Sequence, residues 1–205
     1  MAPLLVLPDQ TQRTYALGAT CFGHAGSGVI QELLTNHRRQ TAFCSTDMHD
    51  ISYNRWAFGL RFVALLSVAL CLVPTGAHLA EFATKMAMPQ SDYMVVQQIY
   101  AGWALFGIPV IAALAATLAQ ALTSRMGRAD VVLALAALVC LAATQAIFWA
   151  FTYPMNVASR NWTVSPPDFE NARRQWEYSH AASGVLTLCA FALLLTAAAR
   201  LASRR

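Results

Sequence analysis

Four long stretches almost free of charge constrain this chain more than anything else in it. Phe62 to Ala80 carries one ionisable group, His78, while Ile99 to Thr123, Val131 to Tyr153 and Ala181 to Ala199 carry none. A helix needs about 20 predominantly apolar residues to cross a hydrocarbon core about 30 Å thick, and each stretch reaches that length. Lipid offers no partner for backbone N–H and C=O groups, so a spanning segment is a helix or a strand of a closed barrel. None of the four alternates polar and apolar residues as barrel strands do. The expectation is an all-α fold: a four-transmembrane-helix bundle with helices over about 57–82, 98–123, 130–153 and 177–200. Short connections make neighbours antiparallel and give up-down-up-down order. With 57% hydrophobic and 12% charged residues, the chain is too poor in charge for an ordinary soluble domain.

The net charge of +4 would suit a nucleic-acid partner if the basic residues shared a soluble face. They do not. Arg13, Arg38, Arg39, Arg55, Arg61, Arg125, Arg128, Arg200, Arg204 and Arg205 fall on one side of the expected helices. That asymmetry is the positive-inside bias, so both termini are expected in the cytoplasm and no nucleic acid is expected as a partner. The expected location is the cell membrane, multi-pass, which is the inner membrane for a bacterial source. Cys71, Cys140 and Cys189 lie within expected helices and Cys21 and Cys44 before them, so no extracellular disulfide is expected. Residues 1–47 show neither helical nor strand periodicity and no signal-peptide pattern, and read as a disordered segment or an over-extended start. The domain proper is expected to be 48–205.

Ionisable residues within membrane helices usually face the bundle interior, which singles out His78. His78 and Glu81 are three residues apart at the end of the first helix, and Glu177 and His180 three apart at the start of the fourth. Each pair shares a helix face. Because the helices run in opposite directions, the two histidines should meet at one depth with the carboxylates a turn farther out. His78, Glu81, Glu177 and His180 form a set of imidazoles and carboxylates of the kind that binds metals in helical bundles. Three readings stay open: a metal or haem between the first and fourth helices, a metal-free polar pocket, and structural pairing. The cofactor is therefore unknown at this stage. Arg173, Trp176, Glu177 and His180 follow i, i+3, i+4, i+7 spacing, and a stripe of that composition is not an ordinary apolar packing face.

The stretch containing Tyr153, Pro154, Asn156, Trp162 and then Arg173-Arg174-x-Trp176-Glu177-x-x-His180 resembles the small integral membrane family that includes the fungal anthrone oxygenases. The resemblance extends over roughly residues 56–200. It implies oxygen insertion into a reduced polycyclic aromatic to give a quinone. It also implies Asn156, Trp176 and His180 as pocket residues supported by Arg173 and Glu177. His78 and Glu81 come from the residue reading alone. The expected function is thus an oxidoreductase or oxygenase acting on an apolar aromatic or quinone-like compound at the outer end. A histidine would be the base, Glu177 would orient it, and Arg173 or Asn156 would stabilise an oxyanion. The alternative is a non-enzymatic accessory or small-molecule-binding protein whose outer loop docks a partner. Membrane lipid is the expected surrounding in either case.

Overall fold

The structure is a computed structural model that describes residues 26–122 and 126–203, with side chains from Arg55 onward. Of the 1–47 segment, residues 1–25 lie outside the described residues, and the backbone from Gly26 is helical. Residues 123–125, at the end of the second expected helix and in the connection to the third, also lie outside them. No strand occurs among the described residues. In chain order the helices are α1 (Gly26–Ala87), α2 (Gln90–Val96), α3 (Gly107–Ala121), α4 (Arg128–Ile147), α5 (Tyr153–Ala158) and α6 (Phe169–Ala202).

Four stretches are long and apolar enough to cross a membrane: Arg55–Ala87, Trp103–Ala121, Arg128–Ala158 and Phe169–Ala202, here spans 1 to 4. The all-α four-span bundle is therefore as expected, and the protein is a multi-pass integral membrane protein. Two boundaries differ instructively. Span 4 begins eight residues before the expected start at 177, because Asp168 caps it by accepting the Asn171 N–H (3.4 Å) and Asn171 Nδ2 (2.6 Å). Span 2 begins later than 98, because Gln97–Tyr100 is a separate 3₁₀ turn and Gly102, at φ +85°, interrupts the backbone before Trp103.

The bundle core is made of small side chains. Ala64, Val68 and Cys71 of span 1 pack with Ala113 and Ala116, Ala137 and Leu141, and Ala190 and Leu194 from the other three. Large apolar residues face outward instead, as at Phe62, Leu66, Leu70 and Val73 of span 1, whose helical spacing marks a lipid-facing stripe. This inversion of a soluble core lets the helices approach closely. Closest of all is Gly184, where an added Cβ would lie 2.9 Å from the Thr75 carbonyl oxygen of span 1. At the loop end of spans 3 and 4, Arg200 Nε donates to buried Asp130 at 3.1 Å.

Prolines shape the other, polar end. Pro74 lies inside span 1, where it removes a backbone N–H, and Thr75 Oγ1 donates to the Cys71 carbonyl at 2.8 Å. Pro89 ends α1, since the residue before a proline is disfavoured in helical geometry. Pro154, which lacks an N–H, lies just after a single π-helical turn, Phe148–Thr152. That turn is tied to span 4: Gln175 Nε2 donates to the Phe151 carbonyl (3.0 Å), and Thr152 and Ser179 hydroxyls are hydrogen-bonded (2.7 Å).

Candidate functional site

The polar end is built in two tiers. The upper tier centres on Lys85, which is 1% exposed, and Glu177, which is fully buried, with Lys85 Nζ 2.8 Å from Glu177 Oε1. The same carboxylate oxygen accepts the Tyr93 hydroxyl at 2.9 Å and Gln97 Nε2 at 3.5 Å. Lys85 also donates to the Tyr100 hydroxyl at 3.2 Å, and that hydroxyl donates to Glu81, which lies 3.9 Å from the ammonium and is 36% exposed. The ammonium sits 4.7 Å from the centres of both the Tyr100 and Trp176 rings, a favourable cation–π distance. Tyr93, Gln97 and Tyr100 all come from the connection between spans 1 and 2. Burial first, and then the nearby Glu177 charge, raises the Tyr93 hydroxyl pKa. Burial, followed by Glu81, does the same at Tyr100. Both phenols are thereby held as neutral donors.

The lower tier lies one helical turn deeper. The His78 and His180 rings pack 4.1 Å apart at 35°. Trp176 lies 4.1 Å from His180 and 4.9 Å from His78, and Tyr100 and Trp103 approach His78 at 4.5 and 5.8 Å. His78 is buried and its Nδ1 has no hydrogen-bond partner, whereas His180 is only half-buried. The histidines thus meet at one depth with the carboxylates a turn farther out, as the i, i+3 spacing on antiparallel helices requires.

A roof covers both tiers. Trp162 is buried against Tyr93 (5.2 Å) and Trp176 (5.6 Å). The three residues Arg160, Asn161 and Trp162 all have left-handed backbone, at φ 49°, 54° and 61°. Such a run costs roughly 1–2 kcal/mol per residue, so it persists only where the surroundings fix it. Here Asn161 N–H donates to the Asn156 carbonyl (2.7 Å), Trp162 N–H to Ser159 Oγ (3.0 Å), and Gln98 Nε2 to the Trp162 carbonyl (2.7 Å). The roof therefore aims Trp162 inward.

Three of the expected site residues bond to other parts of the chain. Glu177 does not orient a histidine, because Lys85, Tyr93 and Gln97 take its bonded oxygen. Arg173 Nη1 donates to the Met88 carbonyl left at the end of α1 (2.7 Å) and its Nη2 pairs with Glu170 (2.6 Å), while its Nε has no hydrogen-bond partner. Asn156 accepts the Trp176 indole N–H at 2.7 Å, which positions that ring. Of the proposed metal set, His78 and His180 are brought together, but Glu81 and Glu177 are committed to Tyr100 and Lys85. Among the described residues no group of three or more His, Cys, Asp or Glu side chains is gathered to hold a metal ion. Two axial imidazoles around one iron need a metal–nitrogen bond of about 2 Å on each side, and rings packed this closely leave no gap for a haem.

Sequence reasoning missed Lys85, Tyr93, Gln97 and Tyr100. Beside the site, a groove of about 260 Å³ runs between spans 3 and 4 at the π-helical turn, lined by Ile147, Phe151, Gln175, Tyr178, Ser179 and Ala182. No protein-family model, curated protein or solved structure matches the chain.

Proposed function

We propose that the protein is a membrane oxidoreductase or oxygenase that takes an apolar aromatic compound, phenolic or quinol-like, from the bilayer to the paired histidines at the polar end. The observation that carries this reading is the His78–His180 stack walled by Tyr100, Trp103 and Trp176, with a buried imidazole nitrogen left unpartnered. Rings of this kind favour a flat aromatic guest, and an imidazole is the side chain best suited to proton abstraction near neutral pH. His180, the more accessible of the two, is the candidate base.

The chemistry balances without further groups. The base removes a proton from an activated ring CH₂, the resulting carbanion gives its electron pair to dioxygen, and the peroxide so formed loses water to leave a carbonyl. One CH₂ and one O₂ become one C=O and one H₂O. The positive-inside bias supports a site on the non-cytoplasmic side of the cell membrane.

The test is oxygen uptake and quinone absorbance with an anthrone, using the full chain in detergent. His180→Ala and His78→Ala should keep helical content and size-exclusion profile while losing turnover at least about a hundredfold, the usual contribution of a general base. Undiminished turnover in His180→Ala refutes the assignment. A second reading, a docking module without catalysis, is favoured by one observation: Arg173, Asn156 and Glu177 bond to the chain itself. Under it, His180→Ala and Asn156→Ala abolish partner association instead.

A further inference from the structure

Lys85 is the chain's only lysine; the other 13 of its 14 basic residues are arginine. It is also almost wholly buried, against a carboxylate with no exposure at all. An ion pair of this kind contributes little net stability, because desolvating both charges offsets their attraction. What distinguishes this pair is its connection. From Glu177, hydrogen bonds run through the Lys85 ammonium and the Tyr100 hydroxyl to Glu81; Glu177 and Lys85 are buried, while Tyr100 and Glu81 are half-buried. Both donors between Lys85 and Glu81 point the same way, toward Glu81. At the inner end, Glu177 Oε2 is buried and has no hydrogen-bond partner, so a lone pair is available there. The histidines lie one turn deeper on the same helix faces, about 4.5 Å along the axis.

We propose that Glu177, Lys85, Tyr100 and Glu81 form a proton relay between the buried interior of the polar end and the partly exposed Glu81. A proton arriving on Glu177 Oε2 neutralises the carboxylate. Lys85 then passes an ammonium proton to the Tyr100 oxygen as the Tyr100 hydroxyl proton moves to Glu81. Glu81 releases its proton to water, and Lys85 recovers a proton from Glu177. One proton enters, one leaves, and every group returns to its starting state. Tyr93 and Gln97 are side branches that fix Glu177 and do not lead outward, while Arg173 lies over the Tyr93 ring and is tied to Met88 and Glu170. That the relay drains protons taken up by the histidines rests on the function proposed above; its conduction does not.

Because there is one lysine, ¹⁵N-lysine labelling of the full chain in lipid nanodiscs gives a single side-chain ammonium resonance whose exchange with water can be timed. Tyr100→Phe keeps the ring against Lys85 and His78 and removes only the hydroxyl. It should slow ammonium exchange about tenfold, the factor lost with one hydrogen bond on the transfer path, and Glu81→Gln should do the same. Tyr93→Phe should leave the rate near that of the native chain. A purely structural role predicts the opposite sign, since loosening the cap admits water and speeds exchange. Unchanged or faster exchange in both Tyr100→Phe and Glu81→Gln overturns the relay. The measurement needs no substrate, so a protein that turns nothing over can still conduct, and an active enzyme can still fail this test.

Discussion

Replacing Lys85 with methionine removes a charge while keeping an unbranched side chain of similar length. Glu177, fully buried, is then left with only the neutral donors Tyr93 and Gln97. Leaving one member of a buried pair uncompensated costs about 3–5 kcal/mol, and the lost cation–π contacts with Tyr100 and Trp176 add about 1 kcal/mol. Glu177→Gln should cost less, because Lys85 keeps Tyr100 at 3.2 Å and Glu81 at 3.9 Å. The double variant Lys85→Met with Glu177→Gln should recover most of the loss, since the glutamine still accepts from Tyr93 and no charge remains buried. Unfolding in mixed detergent micelles, followed by tryptophan fluorescence from the cap, reads all four corners of the cycle. The expected coupling is about 2 kcal/mol or more. A Lys85→Met chain within about 1 kcal/mol of native would show that the pair is solvated, and the burial argument made from it would fail.

Gly184→Ala sets a methyl 2.9 Å from the Thr75 carbonyl oxygen. Spans 1 and 4 must separate, which should cost about 1–3 kcal/mol in the same unfolding assay and lower turnover by parting the histidines. Asn156→Ala leaves the Trp176 indole N–H without its 2.7 Å acceptor, so a loss of about 1–3 kcal/mol with a changed tryptophan emission is expected, partly restored in Asn156→Asp. Tyr93 and Tyr100 should stay un-ionised in an absorbance titration that carries ordinary tyrosines through their transition near pH 10. Their folded pKa values are raised, so the unfolded chain loses these protons first; the stability they contribute is complete below about pH 10 and declines as pH rises above it.

The spans were legible because the signal is an absence of charge sustained over a whole membrane thickness, which no local packing detail can imitate. The histidine pair was legible for a related reason: a spacing of three on two antiparallel helices fixes relative depth by geometry alone. Lys85 was not, because a lysine just after an apolar run reads as a side chain reaching for the interface. One sign was present, its being a single lysine among arginines. The partners Tyr93, Gln97 and Tyr100 carried a signal too, an i, i+4, i+7 pattern in what read as a short loop. The role of Arg173 was hidden in a different way. Its spacing placed it on the right face, but its acceptor is the Met88 carbonyl, a backbone group that becomes available only because Pro89 stops the helix there.

The case for function at the polar end rests on energy. The bundle core is packed mainly with alanine, valine and leucine, and at the opposite end Arg200 bonds Asp130 across spans 3 and 4. The polar end instead buries an ammonium, a carboxylate and a guanidinium. It also leaves His78 Nδ1, Gln97 Oε1, Trp162 Nε1, Arg173 Nε and Glu177 Oε2 without hydrogen-bond partners. Each such atom costs roughly 1–3 kcal/mol, and the roof adds three left-handed residues. Apolar side chains of the same volume would close this end at lower cost, since well-packed hydrophobic replacements for buried ion pairs are often neutral or stabilising. Stability alone therefore does not account for the arrangement. Five of the eight buried side-chain atoms without a hydrogen-bond partner among the described residues lie at this end, the others being Arg61 Nε, Thr117 Oγ1 and Gln120 Oε1, and such departures from the cheapest packing are where a chain's function is to be sought.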